Sequence, residues 1–465
     1  MNIENIKIFF SVTIKFYALS YSNTKKAFNT GIMSTKITLI ITDGQYKGKQ
    51  FTFDSRTTCI IGRNDECNIV VPDTKEYSKI SRYHCLLDIN PPNIRIRDFG
   101  SKNGTYINGQ LIGKREKHQS AEEGIKLEFP EYDLKNNDTF QLSDSNLTFK
   151  VNIIGENKAS YTVPKQEEFE QKVRNLLRKS TIGELDLHPI HGYTLGEKLG
   201  EGGNGAVFLA RYDKTGEVVA LKVMLPKVAV IPEMVNLFLR EVENAKKLRH
   251  PNLVQLKDYC FVEGLFFFTM EYCQGGSVRD AMRRSGGKLP LETAIPVILQ
   301  VLDGLHYAHT ERGIVHRDIK PENIFIDFTE KEEVIVKLGD YGLAKSFDMA
   351  GLSGQTMTGI DGAMGTPVFM PRQQLLNFKY SKPDVDVWAV AASLYNMLTG
   401  EYPRDFVDAD PFVVILKHQP VPIRQRDTSI PKPLAELIDL ALKDDSELYF
   451  ESAEQFQQAL LSILK

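Results

Sequence analysis

The sequence predicts two domains in series, an all-β unit followed by an α+β unit, and three observations carry that expectation. Early in the chain, Ile37 to Ile41 alternates in hydropathy, Phe51-Thr52-Phe53 and Cys59-Ile60-Ile61 are β-rich, and Ile94-Arg95-Ile96-Arg97 alternates cleanly, which is the pattern of β-strands. Further on, Ala206 to Ala210 and Val218 to Val223 are β-prone and flank the turn Asp213-Lys214-Thr215-Gly216, and a helical segment through Phe238 to Glu243 ends before His250-Pro251-Asn252. The length of 465 residues is about three units of ~150 residues, which one small β domain and one larger domain fill.

The segments divide as a tail over 1–35, a β domain over 36–155, a linker over 156–192 and a second domain over 193–465. In the tail, the apolar run Ile8 to Ile14 is cut by Lys15, and Met33 directly precedes the first strand; Met33 reads as the true start. In the linker, Phe169, Val173, Leu176 and Leu177 fall on one face of a helix over Gln166 to Lys179. Net charge is −3, so no general field for nucleic acid or another polyanion is expected. Five cysteines, Cys59, Cys67, Cys85, Cys260 and Cys273, stand without a C-x-x-C and in odd number. They read as reduced thiols of a cytoplasmic protein. No run approaches the ~18–20 apolar residues of a membrane helix.

The chemistry of the larger domain is concentrated in His316-Arg317-Asp318-Ile319-Lys320-Pro321-Glu322-Asn323 and Asp340-Tyr341-Gly342. These blocks supply one candidate base, one phosphate-directed cation and two oxygen ligands for Mg²⁺, a set that few reactions besides phosphoryl transfer need. Upstream lies Leu199-Gly200-Glu201-Gly202-Gly203-Asn204-Gly205-Ala206-Val207. A lone G-x-G-x-x-G also occurs in dinucleotide folds, but there it opens a helix; here β-prone segments follow it. Glycines let backbone approach phosphates with no Cβ in the way. Val219-Ala220-Leu221-Lys222 supplies a further cation, Glu241 and Glu243 are both candidates to pair with it, and Phe268 to Gly276 reads as a buried strand running into a turn.

Together these blocks resemble the eukaryotic-like (Hanks-type) Ser/Thr protein kinases. The resemblance implies an α+β bilobal kinase fold that uses ATP with Mg²⁺ (or Mn²⁺) and acts on protein Ser/Thr hydroxyls. It implies Asp318 as base, Lys320 toward the γ-phosphate, Lys222 on the α- and β-phosphates paired with Glu241, and Asn323 and Asp340 as metal ligands. Leu199, Gly200, Gly202, Gly203, Gly205, Val207 and Ala220 would line the nucleotide, with the backbone of Glu271 and Cys273 meeting the adenine edge. Lys320 followed by Pro-Glu-Asn resembles Ser/Thr and not Tyr kinases. Asp386 would brace the catalytic loop, and Arg317 would clamp a phosphorylated residue among Ser353, Thr356 and Thr358, with Thr366 contacting Asp318 and Lys320. The family's Ala-Pro-Glu is here Pro371-Arg372-Gln373, and the arginine that pairs with its glutamate is here Tyr449. Losing both partners strands no charge, so the lobe is expected to be repacked. A catalytically weak scaffold remains the alternative.

In the β domain, Gly62-Arg63, Ser81-Arg82-Tyr83-His84 and Asp98-Phe99-Gly100-Ser101-Lys102-Asn103-Gly104-Thr105-Tyr106-Ile107-Asn108-Gly109 stand in order. The series resembles the forkhead-associated (FHA) domain, an all-β sandwich that binds phosphothreonine. A phosphate dianion wants a guanidinium and neutral donors; Arg63 and Ser81 supply them, Lys102 adds a cation, and Asn103 fixes ligand backbone. Gly62, His84 and Asn108 hold loop shape, Asn137 takes a glycine's place in a left-handed turn, and Lys114 to Tyr132 reads as a surface insertion. The implied partners are Ser/Thr-containing protein substrates and phosphothreonine-containing proteins. Phosphorylation-dependent self-association through Thr358-Gly359-Ile360-Asp361 is a further reading.

Overall fold

The computed structural model describes residues 36–54, 57–116, 118–119, 129–154, 192–202, 205–226, 232–262, 264–341, 367–376, 381–406, 411–444 and 448–464. The expected tail, linker helix, Gly203, Gly342 and the activation-segment candidates Ser353, Thr356, Thr358 and Thr366 lie outside them.

The alternating segments pair into two sheets. Strands β1 (Lys36–Ile41), β2 (Gln50–Phe53), β7 (Thr105–Ile107), β8 (Gln110–Gly113), β10 (Thr139–Leu142) and β11 (Thr148–Ile154) form one, in the order β2-β1-β11-β10-β7-β8. Strands β3 (Thr57–Gly62), β4 (Ile69–Val70), β5 (Cys85–Asn90), β6 (Asn93–Asp98) and β9 (Tyr132–Asp133) form the other, in the order β4-β3-β5-β6-β9. Period-2 alternation aims Ile37 and Leu39 of one sheet and Ile61, Leu87 and Ile96 of the other into one buried core. Inside it Phe140 stacks on Phe149 with ring centroids 4.9 Å apart. The chain is therefore a sandwich at its N-terminal end. Asn137 has φ 72° and Asn108 φ 48°, the left-handed region that asparagine tolerates.

The second domain opens with the sheet β12-β13-β14-β16-β15, built from β12 (Tyr193–Gly202), β13 (Gly205–Tyr212), β14 (Val218–Met224), β15 (Leu256–Val262) and β16 (Leu265–Glu271). The helix Pro232–Lys246 packs on it: Phe238 meets Phe266 and Phe268 edge-on at 5.0 and 5.8 Å. The glycine loop is thus a hairpin tip between β12 and β13, as its β-prone flanks require. Gly205 has φ 156°, and a Cβ there would lie 1.9 Å from the Val223 carbonyl oxygen, so no other residue fits.

The remainder is mainly helical: Leu291–Arg312, Asp384–Thr399, Lys432–Ala441 and Ala453–Ile463 pack around a common apolar core. Helix Asp384–Thr399 is buried all round, from Val385 to Leu398, as a central helix must be. Helix Leu291–Arg312 stops at Gly313, whose φ of 63° is the usual left-handed stop. The chain then runs as a loop to the small sheet β17 (Gly276–Ser277), β18 (Ile324–Phe328) and β19 (Val334–Leu338). That loop carries the candidate catalytic residues between two rigid elements. A β sandwich followed by a bilobal α+β kinase fold is the observed architecture. A further apolar cluster, from Ile60 and Leu86 to Leu375 and Phe412, joins the two domains.

Candidate functional site

The 314–323 loop is fixed from beneath by one buried carboxylate. Asp386, fully enclosed, accepts the backbone N–H groups of His316 and Arg317 at 2.7 Å each and pairs with His309 Nε2 at 2.8 Å. Burial alone would lift its carboxyl group; the bonds from His309 and the loop backbone outweigh that and hold it below the usual carboxylate range. His316, also fully buried, bonds the Gly339 carbonyl through Nε2 at 2.9 Å and accepts from the Asp318 N–H through Nδ1 at 3.2 Å. Arg317 is left with φ 66° and Asp340 with φ 60°. Such non-glycine positions cost ~1–3 kcal/mol and persist where the surroundings over-determine them.

Above this base the reacting groups converge. Lys320 Nζ donates to Asp318 Oδ2 at 2.9 Å, and Asn323 Nδ2 donates to Asp318 O at 2.8 Å and Oδ2 at 3.0 Å. Burial would push the Lys320 ammonium down, but Asp318, Glu322 and Asp340 together hold it above its ordinary value. It stays charged. Lys222 reaches across from β14 and bonds both oxygens of Asp340, at 2.5 and 2.6 Å.

This is where the geometry departs from the sequence expectation. Glu241 lies on helix Pro232–Lys246 with an exposed side chain, and among the described residues no Lys222–Glu241 pair is present. The competitor Glu243 accepts from Tyr259 Oη at 2.7 Å. Register in a hairpin specifies strand partners, whereas the seat of a helix against a sheet depends on long-range packing that local sequence does not encode.

The nucleotide-side residues fall on neighbouring strands. Val207 stands opposite Lys222, and Ala220 opposite Met270. Leu199, at 40% exposure, and Gly200 run up to the tip of the β12–β13 hairpin, where Gly202 pairs with Gly205. Glu271 ends β16, its N–H donating to Gln255 O at 2.9 Å and its carboxylate pairing with Lys337 at 3.1 Å, and Cys273 follows, buried. For a divalent cation the donor set is oxygen-only. With Asn323 Nδ2 committed to Asp318, its Oδ1 and the Asp340 carboxylate are what the site offers, which suits Mg²⁺ completed by water and phosphate oxygens.

At the other end of the chain, the predicted phosphate-binding residues come together on three loops. Arg63 Nε donates to Ile80 O at 2.6 Å and its Nη1 pairs with the exposed Asp73. Ser81 Oγ accepts from the Lys102 N–H at 3.1 Å, and Asn103 Nδ2 donates to Lys79 O at 2.7 Å. His84 is the post that holds them. It is buried, accepts from the Ser81 N–H through Nδ1 at 3.0 Å and so presents Nε2–H to the Gly104 carbonyl at 3.0 Å. Burial pushes its imidazole down to about 4, so it is neutral and structural. Gly62 is required because a Cβ would lie 2.0 Å from Arg82 O, and Asn108 ties Thr139 and Asp138. Each of these loop-shaping roles matches the sequence reading.

Sequence reasoning missed the residues that act at a distance: His309, the Asp73 counter-charge and Gln374, whose Nε2 donates to Arg317 O at 2.7 Å. It also missed a buried ion pair, Arg404 with Asp444. The expected repacking around Pro371-Arg372-Gln373 is carried by that pair, since Asp444 accepts the Arg372 N–H at 3.0 Å. Apart from Asp73, ten residues from Arg63, these partners lie forty or more residues apart, and no short-range signal links them.

Comparison with known proteins covers both domains. The protein kinase domain model matches residues 193–459, more than half of the chain, and the chain belongs to the protein kinase family. Residues 59–130 match the FHA domain, the centre of the sandwich just described. Among similar proteins, a probable serine/threonine-protein kinase, CPE1738 of Clostridium perfringens, is 31% identical over 276 residues, covering 59% of this chain and 38% of its own length. Tyrosine-protein kinase MasK of Myxococcus xanthus is 31% identical over 294 residues, with 60% and 44% covered. Serine/threonine-protein kinase PknB of Mycobacterium leprae is 31% identical over 278 residues, with 58% and 43% covered. The chain thus spans about two fifths of the length of these curated relatives. No helix of the described residues is long and apolar enough to cross a membrane.

Proposed function

We propose that the chain transfers the γ-phosphoryl group of ATP to serine or threonine hydroxyls of proteins, and that its FHA domain recruits phosphothreonine-containing partners. The observation that carries the reading is the Asp318–Lys320–Asn323 network, with charge, donor and metal ligand within 3.0 Å of one carboxylate. Asp318 accepts the proton of the incoming hydroxyl while the hydrogen bonds that Lys320 and Asn323 donate to its carboxylate hold it in line. Lys320, kept charged, faces the negative charge of the moving phosphoryl group. Lys222 now holds Asp340 and would exchange that carboxylate for nucleotide phosphate. Glu241 would turn in as its new partner. A bound Mg²⁺, held by Asn323 and Asp340, would neutralise phosphate charge. Lys320 followed by Pro321-Glu322-Asn323 supports Ser/Thr over Tyr as acceptor. In the FHA domain, Arg63 would trade Asp73 for the phosphate dianion, and Ser81 and Lys102 would complete the cradle; the chain's own phosphorylated form is one candidate ligand.

The test is incubation of the full chain with Mg²⁺-ATP, followed by phosphosite mapping. Incorporation on Ser or Thr is expected, with a loss of several orders of magnitude in Asp318→Asn and Lys222→Ala. Unchanged incorporation in Asp318→Asn refutes the role given to Asp318, and none in the wild type leaves a phosphothreonine-dependent scaffold. A phosphothreonine peptide should bind the wild type and lose at least about tenfold in affinity with Arg63→Ala, as expected for a desolvated charge-assisted pair.

A further inference from the structure

A sandwich sheet with one face in water alternates apolar and polar residues along each strand. The sheet β4-β3-β5-β6-β9 breaks that rule. Cys59 and Ile61 of β3 face the sandwich core, yet Ile60 between them is also fully buried; Leu86 of β5 stands in the same position between Cys85 and Leu87. Their outer face is covered by two helices of the kinase domain, Arg372–Leu376 and Pro411–Lys417. The Arg97 guanidinium lies between the rings of Phe99 and Phe412, 5.2 and 5.6 Å from their centroids.

The loop between β3 and β4, which begins with Arg63, touches the first of these helices. Asn68 Nδ2 donates to Leu376 O at 3.0 Å, and Glu66 faces Arg372 at 3.6 Å. The helix is in turn one bond from the catalytic loop, because Gln374 Nε2 donates to the carbonyl of Arg317, the residue before Asp318. The N–H of that same Arg317 is held by Asp386. The left-handed Arg317 is therefore gripped on both sides, once from the core and once from a helix on which the FHA domain sits.

We propose that the FHA domain, docked within its own chain, is a positioning brace for the catalytic loop, acting through the helix Arg372–Leu376. Its consequence for rate rests on the kinase reading above; its consequence for the loop does not.

The test is hydrogen exchange read by mass spectrometry on the full chain without ligand, comparing wild type with Ile60→Lys and Glu66→Arg. Both substitutions lie in the FHA domain, so any change in the kinase domain must cross the interface. Amides of 372–376 and 411–417, and those of His316 and Arg317, should exchange at least roughly tenfold faster, while β1 and β11 keep their protection. If Ile60→Lys also releases β1 and β11, its sandwich has failed and Glu66→Arg, at the partly exposed edge, decides. In the kinase assay the same variants should lower kcat and leave the KM for ATP unchanged. Three results overturn the proposal: helices released while His316 and Arg317 stay protected, helices unchanged in Glu66→Arg, or wild-type protection that disappears on dilution, which would mean contact between copies. If the wild type incorporates no phosphate, the kinase reading fails and the exchange data alone decide the brace.

Discussion

Replacing Asp444 by alanine should be among the most damaging single changes in the kinase domain outside the reacting groups. Both side chains of the Arg404–Asp444 pair are fully enclosed. Arg404 also donates to His418 O at 2.9 Å and Met370 O at 3.3 Å and lies over the Trp388 ring, 4.9 Å from its centroid. Burial pushes the Asp444 carboxyl above its ordinary range and the Arg404 guanidinium below its own. Both shifts point the same way: removal from water outweighs mutual attraction. The intact pair therefore adds little net stability. Removing one partner is different, since it strands the other charge at a cost of about 3–5 kcal/mol. Asp444→Ala also leaves the Arg372 N–H without its acceptor, about 1–3 kcal/mol more if water cannot reach it. Arg404→Met with Asp444→Leu strands no charge and should recover most of the first loss but not the second. The assay is denaturant unfolding followed by fluorescence of Trp388, the single tryptophan of the chain, which sits against Arg404 and so reports this lobe. A loss under about 1 kcal/mol for Asp444→Ala would mean the pair is solvated and would refute the reasoning.

Three further outcomes are expected. Asp386→Asn offers an amide N–H₂ where the carboxylate accepted a loop N–H, losing a charged hydrogen bond of about 1.5–3 kcal/mol; autophosphorylation should fall about tenfold or more with the chain still folded by circular dichroism, and an unchanged rate removes Asp386 as brace. His84 is neutral when folded with a value near 4, below its unfolded 6.5, so its contribution is complete above pH 6.5 and is lost as pH falls toward 4. The stability gap between wild type and His84→Gln should accordingly narrow over that window, and a gap constant with pH shows that His84 is solvated. Gly62→Ala drives a methyl into Arg82 O and should cost about 1–3 kcal/mol while weakening phosphothreonine peptide binding, because Arg63 moves with it; unimpaired binding argues that the 62–63 turn is soft.

Local chemistry and hydropathy period were enough to read part of the molecule. Alternation around Ile94 to Arg97 gave a strand with Ile94 and Ile96 inward, as found. The β-prone flanks of Gly200 to Gly205 put the glycine loop at a hairpin tip, and Asn137 took the left-handed turn expected of it. Asp318, Lys320 and Asn323 were legible as a unit because six residues of chain hold all three, so their proximity was already covalent. Arg63, Ser81, Lys102 and Asn103 were legible through the order of three short motifs, and His84 as their support.

Everything that joins distant residues came from packing across the fold. It gave Lys222 to Asp340 and left Glu241 exposed, since the seat of a helix on a sheet is set by packing over the whole lobe. It joined Arg404 to Asp444, forty residues apart, and bonded Asp444 to the Arg372 N–H beside the departed Ala-Pro-Glu motif. It also covered Ile60 and Leu86 with kinase helices. In the sequence those two residues lie inside β-prone stretches, and a β-prone stretch marks a strand but not what covers each of its faces. Contact across the fold depends on how whole elements pack, a free energy summed over many side chains, and no window of the sequence contains that sum.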